Sequence, residues 1–310
     1  MELFLAQPRG FCAGVTRAIE TVNFALEKFG SPVYIRHSIV HNQHVIDEFK
    51  KKGAIFVETL QDVPKGSRVI FSAHGISPAV RKEAEARNLK VVDATCPLVS
   101  KVHLEAIRYA KQGYSIILVG HKGHVEVEGT AGEAPDQTII MESKDELAGL
   151  KVIDPAKVIV LTQTTLSIDD TQEIIGALKK KFPQLIEPPK GDICDATQNR
   201  QDAVKYLAEF CDLVLVVGDP SSSNSNQLKE VASKKGIEAY LIKDSSDIDS
   251  EWLNGVTAVG VTASASTPEY LIDQVVVFLQ KQGAQQIKEV QRRKENAEFP
   301  LPSEITKTNY

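Results

Sequence analysis

Short apolar runs alternate along this chain with longer segments in which apolar residues recur every three or four positions. Runs of this length, rich in β-branched residues and bounded by turn residues, predict strands. The predicted strands are Glu2–Ala6, Val33–Arg36, Ile55–Glu58, Arg68–Ser72, Val91–Ala94, Ser115–Val119, Val158–Thr162, Leu213–Val217, Ala239–Ile242 and Ala258–Val261.

The longer segments follow the helical repeat and predict helices between the strands. The first has a continuous apolar stripe from Val15 to Phe29, and Gly30 ends it. The other predicted helices are 43–51, 78–87, 97–112, 169–181, 197–210, 224–235 and 268–282. Alternating strands and helices predict an α/β fold with mostly parallel sheets.

Polar residues are concentrated directly after the predicted strands. Histidine follows two of them, in Ala73–Gly75 and Gly120–Glu126, and serine, threonine or asparagine follow others. In open α/β sheets, ligands bind outside the carboxyl ends of the strands. A binding site is therefore expected in these loops, although serine, threonine and asparagine are also ordinary helix caps.

Composition excludes several classes of protein. The chain has 310 residues, 42% of them hydrophobic, and a formal charge of -5. Nucleic-acid binding is not expected of an acidic protein. No apolar run is long enough for a transmembrane helix, and the first residues do not resemble a secretory signal, so no membrane partner and a cytoplasmic location are expected.

The four cysteines fall into two groups. Cys12, Cys96 and Cys194 each stand where a strand or loop meets the start of a helical pattern, whereas Cys211 has the apolar neighbours of a core residue. The start of a helix favours the thiolate form of a cysteine. The three are spaced by about one small α/β domain each, which indicates one cysteine presented at an equivalent place by each of three units.

Three converging thiolates could hold zinc or an iron–sulfur cluster. Zinc sites usually contain a short C-x₂₋₄-C spacing, which is missing here. A [4Fe–4S] cluster normally takes four thiolates, so three would leave one iron open to a substrate oxygen. That arrangement suits a reductase or a dehydratase. Three unrelated core cysteines remain the alternative.

Three histidines lie in polar loops and could bind an anion such as a diphosphate: His41, His74 and His124. The remaining histidines, His37, His44, His103 and His121, are assigned surface or structural roles. Backbone amides at helix starts would add to anion binding, and Ser222, Ser223, Asn224 and Ser266 lie at such starts. Ser266 also fits a capping box. Neither a P-loop nor a G-x-G-x-x-G motif is present.

Glu126 is the best candidate for an acid. It follows a predicted strand and His124, and its neighbour Val125 is apolar. Partial burial would raise its pKa and allow it to hold a proton near neutral pH. The alternative is a solvated loop glutamate like Glu128.

Eight motifs, in order along the chain, closely resemble the 4-hydroxy-3-methylbut-2-enyl diphosphate reductase family. They are Arg9–Val15, Val40–Asn42, Ser72–Gly75, Asp93–Val99, Gly120–Glu126, Thr162–Thr165, Ile193–Gln201 and Ser222–Asn226. The resemblance runs from residue 9 to about 268. Two positions depart from it: Val125 stands where the family often has proline, and Glu133 where glutamine is expected.

The resemblance implies a fold and an activity. The fold is three similar α/β domains arranged as a trefoil around a central cluster. The activity is the last step of the methylerythritol phosphate route to isoprenoids, in which (E)-4-hydroxy-3-methylbut-2-enyl diphosphate loses its allylic hydroxyl. Two electrons and two protons are consumed, and the products are isopentenyl diphosphate and dimethylallyl diphosphate.

Three domains are therefore predicted, each with one cluster cysteine. They are 1–96, 97–192 and 193–283, with residues 1–13 as candidates for a central position and 284–310 as a C-terminal extension.

The resemblance also implies roles for individual residues. Cys12, Cys96 and Cys194 would ligate one [4Fe–4S] cluster per chain, and the substrate hydroxyl would bind at the iron without a cysteine. Glu126 would supply the proton, Thr164 would orient the hydroxyl and relay the proton, and His124 could join the relay. The diphosphate would be held by His41, His74, His124, Ser222, Ser223, Asn224 and Ser266, with Thr164 also touching the substrate.

Electrons are expected from a small flavodoxin- or ferredoxin-type protein. Two other functions remain open. One is a non-redox iron–sulfur dehydratase, which would need no reductant. The other is a non-catalytic iron–sulfur sensor, which would need the cysteines but neither Glu126 nor a diphosphate pocket.

Overall fold

The computed structural model describes residues 1–189 and 191–306. Lys190, in the predicted second domain, and 307–310, at the end of the predicted C-terminal extension, lie outside the described residues.

The described part of the chain alternates strands and helices. The strands are β1 (Glu2–Gln7), β2 (Val33–Arg36), β3 (Ala54–Val57), β4 (Arg68–Phe71), β5 (Lys90–Asp93), β6 (Ser115–Val119), β7 (Thr138–Met141), β8 (Val158–Thr162), β9 (Leu213–Val217), β10 (Glu238–Ile242), β11 (Ala258–Ala263) and β12 (Gln286–Gln291). The helices are α1 (Ala13–Phe29), α2 (Gln43–Lys51), α3 (Pro78–Ala86), α4 (Pro97–Lys111), α5 (Val125–Ala131), α6 (Ile168–Lys181), α7 (Asp195–Leu207), α8 (Ser223–Lys234), α9 (Glu269–Lys281) and α10 (Ser303–Thr306). None of the described helices is long and apolar enough to span a membrane.

The strands form three sheets, with the orders β10-β9-β11-β1-β12, β3-β2-β4-β5 and β7-β6-β8. Neighbouring strands pair in parallel in each of them. All residues of β6, β8 and β9 are buried, as expected for parallel strands covered by helices on both faces. The predicted α/β class with parallel sheets is confirmed.

Four of these elements were not predicted from the sequence, and one of them is α10, a helix of only four residues. β12 has only two apolar residues among its six and is largely exposed, so its composition resembles a solvated extension. β7 is only four residues long. α5 is a seven-residue helix that contains Gly129 and two valines, and it is too short for an apolar stripe.

The described residues fall into two compact units. Unit 1 consists of Met1–Val15, His41–Val45 and Asp195–Glu298 and contains the five-stranded sheet. Unit 2 consists of Thr16–Val40, Ile46–Cys194 and the described residues from Phe299 onward, and it contains the two smaller sheets.

The two ends of unit 1 meet in its sheet. β1, from the N-terminus, pairs with β11 on one side and with β12 on the other. β12 comes from the predicted C-terminal extension, which therefore adds an edge strand. The predicted domain boundaries at residues 96 and 192 and the trefoil arrangement stay predictions.

The core of unit 1 is organised around β9. Its side chains alternate between the two faces of the sheet, as the strand repeat requires. Leu213, Leu215 and Val217 pack with α9. Val214 and Val216 pack on the opposite face with α7 and α8.

Cys211 belongs to the second of these clusters and is 8% exposed. Burial raises the pKa of its thiol to about 12, so the group is neutral at physiological pH. The prediction that Cys211 is a core residue is confirmed.

Core position and edge position predict different effects of truncation in this sheet. Leu215 is fully buried in β9, whereas Ile287 in β12 is 41% exposed. We expect Leu215→Ala to lower the free energy of unfolding of unit 1 by about 2–5 kcal/mol, because it leaves a cavity. The matched Ile287→Ala should cost less than about 1 kcal/mol. Calorimetry or urea unfolding checks both, and equal costs would contradict this account of the core.

Candidate active site

Glu126 and Thr164 form a buried pair in unit 2. They follow β6 and β8, which are neighbours in one sheet, so both lie at the carboxyl ends of adjacent parallel strands. The backbone N–H of Thr164 donates to Oε1 of Glu126 at 2.7 Å, and the Thr164 hydroxyl donates to Oε2 at 3.0 Å. Glu126 is 4% exposed and Thr164 is 5% exposed. The threonine thus binds both carboxylate oxygens.

Burial raises the pKa of Glu126 to about 7. The hydrogen bonds from Thr164 favour the ionised form and oppose this shift, while the negative charge of Asp192 adds to it. The carboxyl group can therefore hold or release a proton near neutral pH. Glu126 lies in the first turn of α5 rather than in an open loop, which excludes the alternative of a solvated glutamate.

Two predicted histidines lie beside this pair. His124 is the N-cap residue of α5, and its Nδ1 accepts a hydrogen bond from the backbone N–H of Glu126 at 3.2 Å. The rings of His124 and His74 meet edge to face, with centroids 6.0 Å apart. Nδ1 of His74 lies 3.2 Å from the Ser72 hydroxyl. The structure therefore brings His74, His124, Glu126 and Thr164 together.

Cys96 and Cys194 are bonded to these same loops through their backbones. The N–H of Cys96 donates to the carbonyl of Ala73, the residue before His74, at 3.0 Å. The N–H of Cys194 donates to the carbonyl of Thr164 at 3.1 Å. Each cysteine is followed directly by a helix, α4 or α7. Cys194 is thus held against Thr164, a predicted proton-relay residue, and Cys96 against the residue before His74, a predicted diphosphate ligand.

Unit 1 contains Cys12 and most of the residues predicted to hold the diphosphate. The backbone of Ala265 links Cys12 to Asn224. The Ala265 carbonyl accepts from the N–H of Cys12 at 3.2 Å, and the Ala265 N–H donates to Oδ1 of Asn224 at 3.0 Å. The hydroxyl of Ser266 donates to the carbonyl of His41 at 2.9 Å. Asn224, Ser266 and Cys12 follow β9, β11 and β1, which are adjacent in the sheet.

Ser222 is the N-cap residue of α8, and its hydroxyl accepts from the N–H of Ser225 at 3.3 Å. The capping interpretation is therefore correct for Ser222. Ser223 begins the helix. Ser266 lies before α9, whose N-cap residue is Pro268, so the predicted capping box at Ser266 is not the cap of this helix.

Sequence reasoning missed several polar residues that support the site. In unit 2, the Gln163 side chain accepts from the N–H of His121 and donates to the Thr165 hydroxyl, which ties the loops after β6 and β8 together. In unit 1, Asp219 accepts from the N–H of Gln43 at 2.9 Å. Gln163 belongs to the Thr162–Thr165 motif, but nothing in the sequence indicated which loop it would contact.

Asp219 is a carboxylate among the predicted anion-binding residues. Burial tends to raise its pKa, but hydrogen bonds from Ser221 and Gln43 and the positive charge of His41 outweigh this and lower the pKa overall. The Asp219 carboxylate is therefore charged at neutral pH, close to His41.

The cysteines fit an iron–sulfur cluster by the chemistry of their donors. Cys12, Cys96 and Cys194 are partly exposed, and each directly precedes a helix, whereas Cys211 is buried in a core. Cysteine thiolates are the usual ligands of such clusters. In the described part of the chain, no group of three or more His, Cys, Asp or Glu side chains is placed to hold a single metal ion. The fit of these cysteines to a cluster thus rests on the chemistry of their thiols and on their position at helix starts.

Comparison with known proteins gives a consistent picture. The LytB protein family model matches residues 3–280. The curated 4-hydroxy-3-methylbut-2-enyl diphosphate reductase of Ralstonia nicotianae is 55% identical over 301 residues, which cover 97% of this chain and 93% of that protein. The curated protein of the same name from Pseudomonas aeruginosa is 53% identical over 309 residues, with 98% of each chain covered.

Solved structures agree with these relatives. The E-1-hydroxy-2-methyl-but-2-enyl-4-diphosphate reductase from Plasmodium falciparum superposes with a TM-score of 0.96 at 43% identity, covering 98% of this chain and 96% of that one. A second reductase structure, of the terminal enzyme of the non-mevalonate pathway, has a TM-score of 0.64 at 31% identity and covers 91% of this chain and 100% of its own. Since family, identity and fold agree over nearly the whole length, the chain belongs to the LytB protein family and is an oxidoreductase.

Proposed function

We propose that this chain reductively removes the allylic hydroxyl of (E)-4-hydroxy-3-methylbut-2-enyl diphosphate in the last step of the methylerythritol phosphate route. The products are isopentenyl diphosphate and dimethylallyl diphosphate. The observation that carries the proposal is the buried Glu126–Thr164 pair with its pKa near 7, in a chain whose relatives are reductases of this name.

The reaction needs two electrons and two protons. The allylic C–O bond breaks, one proton leaves with the hydroxyl as water, and a C–H bond forms at one end of the allylic system. Addition at either end accounts for the two products. Cys12, Cys96 and Cys194 would hold one [4Fe–4S] cluster per chain. When bound, it would supply electrons and a Lewis-acidic iron for the substrate hydroxyl.

Glu126 is suited to protonate the departing hydroxyl. With a pKa near 7, a large fraction of the group carries a proton at neutral pH, and that proton is acidic enough to be released. The Thr164 hydroxyl touches Oε2 of Glu126, so it can accept a proton from the acid while it donates to the leaving oxygen. His124, whose ring accepts a hydrogen bond from the N–H of Glu126 at the start of α5, would assist the same proton transfer.

The diphosphate would be bound away from the reacting carbon. We assign it to His41, His74, His124, Ser222, Ser223, Asn224 and Ser266, which offer imidazole, hydroxyl, amide and helix N-terminal donors. Binding energy from this remote group would orient the allylic hydroxyl toward the acid. A small flavodoxin- or ferredoxin-type protein is the proposed electron donor.

The decisive experiment is anaerobic turnover of the allylic diphosphate with an artificial reductant. Water loss that requires reductant, with both five-carbon diphosphates as products, is the expected result. Conversion without reductant would overturn the proposal in favour of a dehydratase, and no conversion by cluster-loaded protein would favour a sensor.

Removal of the acid should separate chemistry from binding. We expect Glu126→Gln to lower kcat by roughly 10²–10⁴-fold, because the amide cannot donate a carboxylic proton. Iron content and substrate binding should persist. Glu128→Gln is the matched control, since Glu128 lies on the same short helix but is exposed. If Glu126→Gln turns over like Glu128→Gln, Glu126 is not the proton donor.

The pKa of Glu126 also predicts a pH profile. The active form is the protonated one, so kcat should be highest below pH about 7 and should fall about tenfold per unit above it. Steady-state kinetics between about pH 6 and pH 9 measure this decline. The residual activity of Glu126→Gln should not show the same midpoint. A wild-type kcat that stays constant up to the alkaline end would be inconsistent with the assignment.

Cluster content should depend on three of the four cysteines. Anaerobically purified protein should contain about four iron and four sulfide per chain and absorb in the visible range. Replacement of Cys12, Cys96 or Cys194 by serine should remove most of both. Cys211→Ala should retain them, because that thiol is buried and neutral. Loss of iron and sulfide only in Cys211→Ala would refute the ligand assignment.

A further inference from the structure

A buried histidine outside the described site, His103 in α4, lies against two glycines next to site residues. Its ring is 3% exposed. A β-carbon on Gly75 would lie 2.9 Å from Nε2 of His103, and one on Gly129 would lie 3.3 Å from Cε1 and 3.4 Å from Nε2. The ring therefore fills the space that side chains at these two positions would need.

Both glycines belong to segments that carry the predicted chemistry. Gly75 directly follows His74, and Gly129 lies on α5, three residues after Glu126. A β-carbon on Gly129 would also come within 3.5 Å of the backbone carbon of Gly75. The two backbones thus approach each other closely, and the edge of the His103 ring touches both of them.

The ring is held from its other side by a charged residue. Nδ1 of His103 donates to Oε1 of Glu133 at 2.8 Å, and Nη1 of Arg81 donates to the same oxygen at 2.9 Å. The Glu133 side chain is 4% exposed. Burial tends to raise the pKa of Glu133, but the bonds from His103 and Arg81 outweigh it and lower the pKa overall. The carboxylate is therefore charged at neutral pH and fixes the ring's orientation.

Simple filling of space does not explain a histidine at this position. Nε2 is buried without a hydrogen-bond partner among the described residues. Burying an unsatisfied polar atom costs free energy, and an apolar side chain of similar size would avoid that cost. A leucine at position 103 would lack the ring N–H that Glu133 binds. That hydrogen bond orients the imidazole so that its flat edge lies between Gly75 and Gly129.

We propose that His103, oriented by Glu133 and Arg81, is a positioning residue that fixes the His74 segment against α5 and so keeps Glu126 bonded to Thr164. The inference rests on the proposed function, because it assigns His103 an effect on the proton donor of that reaction. His103 itself does not touch the substrate in this account.

The test compares His103→Leu with the conservative Glu133→Gln in the cluster-loaded enzyme. Leucine has a similar volume but no donor for Glu133. We expect His103→Leu to lower kcat roughly ten- to hundredfold, the effect of a small misplacement of a reacting group. The substitution should weaken the hydrogen bonds from Thr164 to Glu126. Since those bonds lower the pKa of Glu126, the pH midpoint of kcat should move upward. Glu133→Gln keeps an acceptor oxygen for His103 and should retain the wild-type midpoint.

A structural control separates positioning from general destabilisation. Leu178 is fully buried on α6 in a different cluster of unit 2. Leu178→Ala should lower the melting temperature without moving the pH midpoint of kcat. If His103→Leu behaves in the same way as Leu178→Ala, with loss of stability alone, the inference is overturned.

A second variant approaches the same contact from the helix. Gly129→Ala adds a methyl group against the ring but favours the helix itself, so its expected upward midpoint shift cannot come from lost helix propensity. Because both substitutions disturb one contact, Gly129→Ala combined with His103→Ala should shift the midpoint by less than the sum of the two single shifts. Additive effects of the two substitutions would also overturn the inference.

Infrared titration of the Glu126 carboxyl, assigned with Glu126→Gln, gives a readout that does not need turnover. A raised midpoint in His103→Leu supports the positioning role even if the wild-type enzyme does not reduce the allylic diphosphate. An unchanged carboxyl midpoint together with normal reductase activity in the wild type would reject this inference alone.

Discussion

The buried contact between Glu126 and Thr164 is the constraint on which the site in unit 2 depends. Ionising a carboxyl group that is removed from water costs free energy, which raises its pKa. Two hydrogen bonds from one threonine stabilise the ionised form and partly offset that cost, so the pKa of Glu126 stays at about 7. Exposure of this pair would return the carboxyl to an ordinary acidity. A proton would then no longer be available near neutral pH, so the packing around α5 is part of the acid's chemistry.

The parallel sheets explain how such contacts arise from distant parts of the chain. Strands that run in the same direction bring their carboxyl ends to one edge, and the loops that follow carry the polar residues. In unit 2, β6 and β8 bring Glu126 to Thr164, while β4 and β5 bring His74 close to Cys96. In unit 1, β9, β11 and β1 do the same for Asn224, Ser266 and Cys12.

The apolar pattern predicted most of this framework, and its failures have physical causes. β6, β8 and β9 have the predicted bounds because buried parallel strands are continuous apolar runs. β12 was missed because an edge strand needs few apolar residues: its backbone pairs with β1, which no local pattern reveals. α5 was missed because it is stabilised by its contacts and its cap rather than by a stripe of its own.

The sequence alone determined the α/β class, the separation of Cys211 from the other cysteines, and the list of residues in the loops after strands. These follow from local rules of periodicity, helix starts and strand ends. Only the tertiary structure decided the depth of Glu126, the partner that binds both its oxygens, and the role of His103 between Gly75 and Gly129. The reason is that burial and hydrogen bonding at these positions depend on residues that are distant in the chain, 38 positions away for Glu126 and Thr164. The free energy of a charge depends on what surrounds it in space rather than on its neighbours in sequence.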